Sequence, residues 1–187
     1  GSLQEWCRCG VRKLRASPRV RKVVAGGLIL KFALTEMQLS STAFEHGAGI
    51  PTQFTGDGED VSPPLQWRDA PEGTASFSVI CYDPDAPVIH LDGTIGFTHW
   101  LLYNLPGDLQ SIGAAHDGHC TGVNDFGYTG YAGPMPPPNH GDHRYFFFLF
   151  ALSSSAGFPP RLGLRQFVSA LEPYTLGISR LMGVYSR

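Results

Sequence analysis

Short apolar runs separated by stretches rich in glycine and proline dominate this chain. Two runs, Phe77 to Tyr82 and His99 to Leu105, are rich in aliphatic and aromatic residues and bounded by Pro and Gly, which predicts buried strands. Arg144 to Leu152 is apolar at nearly every position, which favours a central strand covered on both faces. Helical periodicity is scarce before the C-terminal region. The pattern therefore predicts a mainly β protein.

The C-terminal region and one long connection complete the predicted elements. Arg165 to Leu171 predicts a short helix that ends near Pro173, and Ile178 to Tyr185 predicts a final strand. Gly107 to Asp142 has little periodicity, and connections of this length are typical of functional lids or binding loops. A variable surface loop is the alternative interpretation. Its glycines and the run of prolines at 136–138 favour a stiff, tightly turned rim.

Length and composition indicate one globular unit with an unusual N-terminal segment. The chain has 187 residues, of which 42% are hydrophobic, enough to bury one sizeable core. Residues 1–23 carry seven of the fourteen Lys and Arg and only one acid, so this segment is basic and the remainder is acidic. Such a segment could contact nucleic acid or anionic lipid, but we expect it to fold back onto its own domain.

The apolar stretch from Val23 to Leu34 is too short for a membrane-spanning helix, which needs about twenty residues. A basic region before a short apolar one also fits a signal peptide, and this alternative stays open. Lys31 inside the apolar part argues against it, so a cytoplasmic protein is expected. Four cysteines do not indicate a disulfide scaffold, and Cys81 is interpreted as a small core residue.

Polar residues that could bind a ligand or take part in catalysis lie at the ends of the predicted strands. Asp83 ends the first strand and His99 begins the second, so antiparallel pairing would make them neighbours at one sheet edge. His143 stands at the start of the third, but spacing alone does not fix whether that end lies at the same edge. Two imidazoles and a carboxylate thus form a candidate site.

Several motifs in a fixed order carry a resemblance to a known family. They are GDGEDVSPPLQW at 56–67, CYDPDAP at 81–87, HWLLYNLP at 99–106, NDFGYTGYAGPMPPP at 124–138, HRY at 143–145 and LMGVYSR at 181–187. With these motifs the chain resembles the phosphatidylethanolamine-binding proteins, which include Raf kinase inhibitor proteins and plant flowering-time proteins, and most closely their bacterial and archaeal branch. The resemblance covers residues 36–187 and leaves 1–35 as an N-terminal extension.

The resemblance implies a fold and a ligand site. The fold is an antiparallel β-sandwich with a few short helices, here preceded by the basic extension. The implied ligand-binding residues are Asp83, Asp85, Pro87, His99, Gly133, Pro137, His143 and Tyr145. Within this set Asp85 is expected to hold its loop more than the ligand, and the bond before Pro87 is expected to be cis. Residues 136–142 depart from the family pattern by one inserted residue, and His140 there would supply a third imidazole.

The residue types select the ligand class. Protonated imidazoles donate hydrogen bonds and offset the charge of a buried anion, so His99 and His143 are the predicted anion contacts. Asp83 would repel an anion unless a proton or an ammonium lies between them. Phosphate, a protonated phosphomonoester or a phosphoethanolamine head group satisfies this requirement. The predicted function is therefore binding of such an anion or phospholipid head group, with a regulatory role as a further expectation.

Two alternatives remain open at this point. The first is a regulator that binds a protein partner, such as a kinase or protease inhibitor, through the Gly107 to Gly141 rim. The second is a metal-assisted hydrolase, because imidazoles and carboxylates also ligate zinc or manganese. No metal motif or nucleophile elbow accompanies these residues, so we predict neither catalysis nor a metal or other cofactor. The acidic residues among 57–60 lack calcium-loop spacing and predict a turn, and a nucleic-acid partner is not expected.

Overall fold

The computed structural model describes residues 35–91, 95–116, 118–155 and 157–187, and the backbone of two short strands before them. The predictions for the basic segment and for the apolar stretch behind it lie outside the described residues. The strands of the described residues are β1 (Val24–Ala25), β2 (Leu28–Ile29), β3 (Gln38–Ser40), β4 (Leu65–Arg68), β5 (Ser76–Asp83), β6 (Phe97–Pro106), β7 (Ser111–Ile112), β8 (Cys120–Thr121), β9 (His143–Leu152) and β10 (Thr175–Tyr185). In the same described parts of the chain, the helices are α1 (Leu164–Leu171) and the 3-10 helices Thr52–Phe54 and Glu172–Tyr174.

A five-stranded antiparallel sheet forms the centre of the molecule, in the order β10-β9-β5-β6-β8. Its β5, β6 and β9 correspond to the three apolar runs, and each extends the predicted range by one or more residues. β5 is buried at seven of its eight positions because β6 and β9 flank it and other elements cover both faces. The prediction of central, doubly covered strands is confirmed.

A second sheet, in the order β3-β4-β7, packs over one face of the first. Along β4, Leu65 and Trp67 are buried while Gln66 and Arg68 are exposed, which is the period-two pattern of a half-buried strand. Trp67 contacts Phe77 of the large sheet with ring centroids 5.2 Å apart. The main core lies between the two sheets, so the antiparallel β-sandwich is confirmed.

The other face of the large sheet is covered by α1, whose Phe167 and Leu171 are buried against it. The helix begins one residue before the predicted range and ends at the predicted residue, because Pro173 lies in the 3-10 helix that follows. The final strand begins three residues before the predicted Ile178. Among the described residues, no helix combines the length and apolarity needed to cross a membrane.

The topology settles which strand ends meet. β5 pairs antiparallel with both β6 and β9, so its C-terminal end lies beside the N-terminal ends of both neighbours. Tyr82 is opposite Thr98 on one side and Phe146 on the other. Asp83, His99 and His143 therefore lie at the same end of the sheet, where β5 ends and β6 and β9 begin; we call this end the sheet edge. The connection 107–142 contributes β7 and β8 to the sheets, and the rest of its described residues follow an irregular path.

Candidate functional site

Four buried residues with polar groups lie at the sheet edge where β5 ends and β6 and β9 begin. Asp83, His99, His143 and Tyr145 are each only 1% to 4% exposed. Alternation along the strands explains why three of them are buried, because Asp83 follows the inward-facing Cys81 and both His143 and Tyr145 precede Phe147. The inner face of the sandwich, apolar along most of its length, thus ends in a polar cluster.

Asp83 organises both the loop after β5 and the neighbouring imidazole. Its Oδ1 accepts hydrogen bonds from the backbone N–H groups of Asp85 and Ala86, at 2.8 and 3.1 Å. Its Oδ2 lies 2.7 Å from Nδ1 of His143, which donates to it. Both oxygens of the buried carboxylate are therefore engaged by protein donors, as a buried charge requires.

The hydrogen bond to Asp83 also fixes the role of the other His143 nitrogen. With the proton on Nδ1, Nε2 is left to bond elsewhere, and it lies 2.8 Å from Nδ1 of His140. His140 is exposed and follows the proline run, whereas His143 is buried. The expected third imidazole thus lies in the site, at the solvent end of an Asp83–His143–His140 chain of hydrogen bonds.

His99 approaches the cluster from β6, where an irregularity in the pairing with β5 falls between Thr98 and Trp100. Its Nδ1 donates to the carbonyl oxygen of Ala132 at 2.7 Å, so Nε2 accepts in the neutral ring and donates in the protonated one. Burial lowers the pKa of His99 despite opposing contributions from that hydrogen bond and from Asp83. The ring is accordingly neutral near pH 7.

Tyr145 lies between the two imidazoles. Its ring is perpendicular to that of His99, with centroids 5.1 Å apart, and stacks on that of His143 at 6.4 Å. Burial, followed by the negative charge of Asp83, raises the pKa of Tyr145 far above its ordinary value. The phenol therefore stays protonated and can donate a hydrogen bond.

Asp85 has a different partner. Its carboxylate forms a bidentate ion pair with Arg144, Nε to Oδ2 at 2.8 Å and Nη2 to Oδ1 at 2.6 Å, and also accepts the Arg144 backbone N–H at 2.9 Å. The hydrogen bond from the Arg144 side chain lowers the pKa of Asp85. Asp85 thus attaches the loop after β5 to the start of β9. The sequence analysis did not single out Arg144, although its place beside His143 was a usable signal.

The two prolines predicted as ligand-binding residues lie at the surface of the loops. Pro87 and Pro137 are both exposed. The expected cis bond before Pro87 is wrong, because the Ala86–Pro87 peptide is trans. The chain reverses there by a three-residue turn instead, in which the Val88 N–H donates to the Ala86 carbonyl oxygen at 2.8 Å.

Gly133 is buried behind the cluster. Its N–H donates to Oδ1 of Asp60 at 2.6 Å, and a Cβ on it would lie 2.7 Å from the Cα of Thr55 and 2.8 Å from the carbonyl oxygen of Phe54. Only glycine allows this approach of two backbones. Asp60 belongs to the acidic segment predicted as a turn, and that segment does form a turn.

The connection 107–142 exposes three large apolar side chains, a feature that the sequence analysis missed. Phe126, Tyr128 and Met135 belong to the 107–142 connection and are 45% to 50% exposed. Phe126 packs edge-on against Phe97 at 4.6 Å and lies 6.5 Å from the ring of His99. We call these three residues the apolar rim. Within the described parts of the chain, no three His, Cys, Asp or Glu side chains are grouped so as to hold a metal ion.

A β-sandwich with this polar cluster at one edge defines the class of protein. A family model described as phosphatidylethanolamine-binding protein matches residues 40–186, and the chain belongs to that family. A UPF0098 protein of Aquifex aeolicus is 40% identical over 174 residues, covering 87% of this chain and 98% of the relative. A UPF0098 protein of Methanothermobacter thermautotrophicus is 39% identical over 158 residues, covering 81% and 99%.

Solved structures agree with this membership. A crystal structure of a putative phosphatidylethanolamine-binding protein homologue from Chlamydia trachomatis has a TM-score of 0.74 at 32% identity, covering 81% of this chain and 97% of that one. YbcL of E. coli, described as a new member of the mammalian family, also has a TM-score of 0.74, at 29% identity, covering 81% and 99%. The resemblance drawn from the ordered motifs is confirmed.

Proposed function

We propose that the chain binds a small phosphate-type anion, such as the head of a phosphate ester, at the cluster of Asp83, His99, His143 and Tyr145. The proposed role is binding rather than catalysis. We further propose that residues 36–187 form the binding domain and that 1–35 are an extension, which the family match to 40–186 supports. The observation that carries the proposal is a buried phenol flanked by two imidazoles whose Nδ1 atoms already bond to the protein.

The engaged carboxylate explains how an anion can approach a cluster that contains Asp83. Both of its oxygens already accept hydrogen bonds, three in all, which disperse its charge. The remaining polar groups are Nε2 of His143, now bonded to His140, Nε2 of His99 and the Tyr145 hydroxyl. A protonated phosphate oxygen can replace His140 as the donor to Nε2 of His143, since His140 lies at the exposed end of the chain of hydrogen bonds.

The neutral state of His99 determines the protonation of the complex. An oxyanion next to Nε2 of a neutral His99 meets a lone pair, so either the ligand brings a proton or His99 takes one up. A phosphomonoester has its second pKa near 6, so its protonated form is available close to neutral pH. Affinity is therefore expected to increase as the pH falls below about 7.

Calorimetric titration with phosphoethanolamine tests the proposal. We expect binding to the wild type and to His46→Ala, a matched change of an exposed histidine outside the cluster. For His143→Ala we expect affinity to fall about tenfold or more, equivalent to about 1.4 kcal/mol. Above the second pKa of the ester, titration in buffers of different ionisation enthalpy should show net proton uptake on binding, because either the ester or His99 must gain a proton. Equal affinity in His143→Ala, or no binding by the wild type, would refute the proposal.

The apolar rim favours a second candidate, regulation of a protein partner such as a kinase or protease. Phe126, Tyr128 and Met135 provide the exposed apolar and aromatic surface on which protein interfaces depend. Inhibition assays with a kinase and a protease panel test this candidate. It requires an inhibitory wild type, a Phe126→Ser variant that loses inhibition and a His143→Ala variant that retains it. Inhibition unaffected by Phe126→Ser would contradict a role for the rim.

A further inference from the structure

A cavity lies on the face of the large sheet that α1 covers, between the strand ends and the start of α1. Its volume is about 640 Å³, within the usual range of small-molecule sites. One wall comes from the sheet edge and its loops, with Tyr82, His90, Thr98 and Asp125. The other wall comes from residues 163–169 at the start of α1. We call this cavity the helix cleft.

A buried hydroxyl without a partner lines the helix cleft. Thr98 is 1% exposed, and its Oγ1 has no hydrogen-bond partner. Thr98 lies opposite Tyr82 in the β5–β6 ladder, so both side chains are on the face that α1 covers. Burying a hydroxyl without a partner is unfavourable, and native structures rarely retain one without a reason. A ligand in the cleft would provide the missing hydrogen bond.

The sheet wall also carries a carboxylate, which is bonded to the backbone of Thr98. Oδ2 of Asp125 accepts the backbone N–H of Thr98 at 2.6 Å and lies 3.4 Å from Nε2 of His90. That nitrogen also lies 2.9 Å from the carbonyl oxygen of Gly96, to which it donates. The carboxylate is partly exposed. A cationic donor such as an ammonium group would be stabilised between Asp125 and Thr98.

The helix wall has the opposite character. The first intrahelical bond of α1 runs from the Phe167 N–H to the Gly163 carbonyl oxygen at 2.9 Å, so the N–H groups of 164–166 have no acceptor within the helix. Gly163 stands at the N-cap position and has no side chain that could cap them. Arg165, an exposed cation, adjoins these donors. This wall suits a carboxylate.

We propose that the helix cleft binds a short apolar zwitterionic peptide, with its ammonium group at Asp125 and Thr98 and its carboxylate at the start of α1. Apolar surface between the two walls comes from Leu164, Val168 and the ring of Tyr82. The Tyr82 hydroxyl already donates to the Ile95 carbonyl oxygen, so the ring offers its apolar part to a ligand. The cavity exceeds the size of a single amino acid, which favours a peptide.

Titration with the dipeptide Leu-Leu, followed by NMR, tests this site. We expect saturable shifts at Thr98 and Arg165, and affinity at least tenfold weaker for the N-acetylated and for the C-amidated dipeptide. Thr98→Val, which keeps the shape but removes the hydroxyl, should weaken binding about tenfold. Ser78→Ala is the matched control, because Ser78 carries another buried, unpartnered hydroxyl on the same sheet face but does not line the cleft.

The outcomes separate a ligand site from a merely structural cavity. Both Thr98→Val and Ser78→Ala should be at least as stable as the wild type, and only the former should lose peptide affinity. No binding of Leu-Leu, equal affinity for the blocked dipeptides, or unchanged affinity in Thr98→Val would overturn the proposal. His143→Ala should still bind Leu-Leu, and Arg165→Gln should still bind phosphoethanolamine, so the two sites can fail independently.

Discussion

Replacing Asp83 by alanine is the most direct test of how the candidate site is built. The change removes three hydrogen bonds to one buried carboxylate and leaves the donors of Asp85, Ala86 and His143 without that acceptor. A hydrogen bond to a charged group contributes about 1.5–3 kcal/mol, and leaving a buried donor without an acceptor costs about 1–3 kcal/mol more. Because the loop amides can turn to water and the His143 donor cannot, we expect a loss of about 4 kcal/mol in the free energy of unfolding.

Asp83→Asn provides the matched comparison. The asparagine oxygen can still accept from the two loop amides, and His143 can change tautomer to accept from the new NH₂ group. We therefore expect a loss of about 1–2 kcal/mol. Urea unfolding at pH 7 measures both variants, with the exposed Asp108→Ala as a control that should change stability by less than about 0.5 kcal/mol. A loss below about 2 kcal/mol for Asp83→Ala, or equal losses for both variants, would refute this account of the buried carboxylate.

Two further predictions concern His99 and Gly133. Because burial lowers the pKa of folded His99 below the unfolded value of about 6.5, the unfolded chain binds more protons between the two values, and stability is lost as the pH falls through that window. His99→Gln should reduce the slope of unfolding free energy against pH there by up to about 1.4 kcal/mol per unit, and an unchanged slope would contradict a neutral buried His99. Gly133→Ala should lower the free energy of unfolding by about 1–3 kcal/mol, because the added Cβ would meet backbone atoms. Gly113→Ala is the control and should leave it unchanged, because a Cβ there would meet nothing within 4 Å. Equal effects of the two changes in urea unfolding would contradict the close backbone approach at Gly133.

The long apolar strands could be predicted from sequence, whereas the second sheet could not. β5, β6 and β9 are eight to ten residues long and buried on both faces, so their composition alone identifies them. β3 has three residues and β7 has two, too few for a periodic signal. Their strand character depends on pairing with β4, which is a tertiary contact between distant segments.

In the candidate site, too, some contacts could be predicted from the sequence and others could not. Antiparallel pairing places the end of β5 beside the starts of β6 and β9. The closeness of Asp83 to His143 could therefore be predicted once the pairing of β5 with β9 was known. The Asp85–Arg144 ion pair and the contact of Gly133 with Asp60 depend instead on the paths of loops. Loop paths leave no periodicity in the sequence, so neither contact could be predicted from it.

The 107–142 connection acts as a scaffold for both proposed sites at the start of β6. Consecutive residues of that strand serve opposite faces, with Thr98 in the helix cleft and His99 in the anion site. Two residues of the connection hold them by reciprocal bonds: Asp125 accepts the Thr98 N–H and donates its own to the Thr98 carbonyl oxygen, while Ala132 accepts from the His99 ring and donates to the His99 carbonyl oxygen. Such two-way bonding fixes the connection against the strand, which agrees with the stiff rim that its glycines and prolines predict. The shape of each site therefore depends on this irregular segment as much as on the sheet, because the sheet supplies the side chains and the connection sets the position of the strand that carries them.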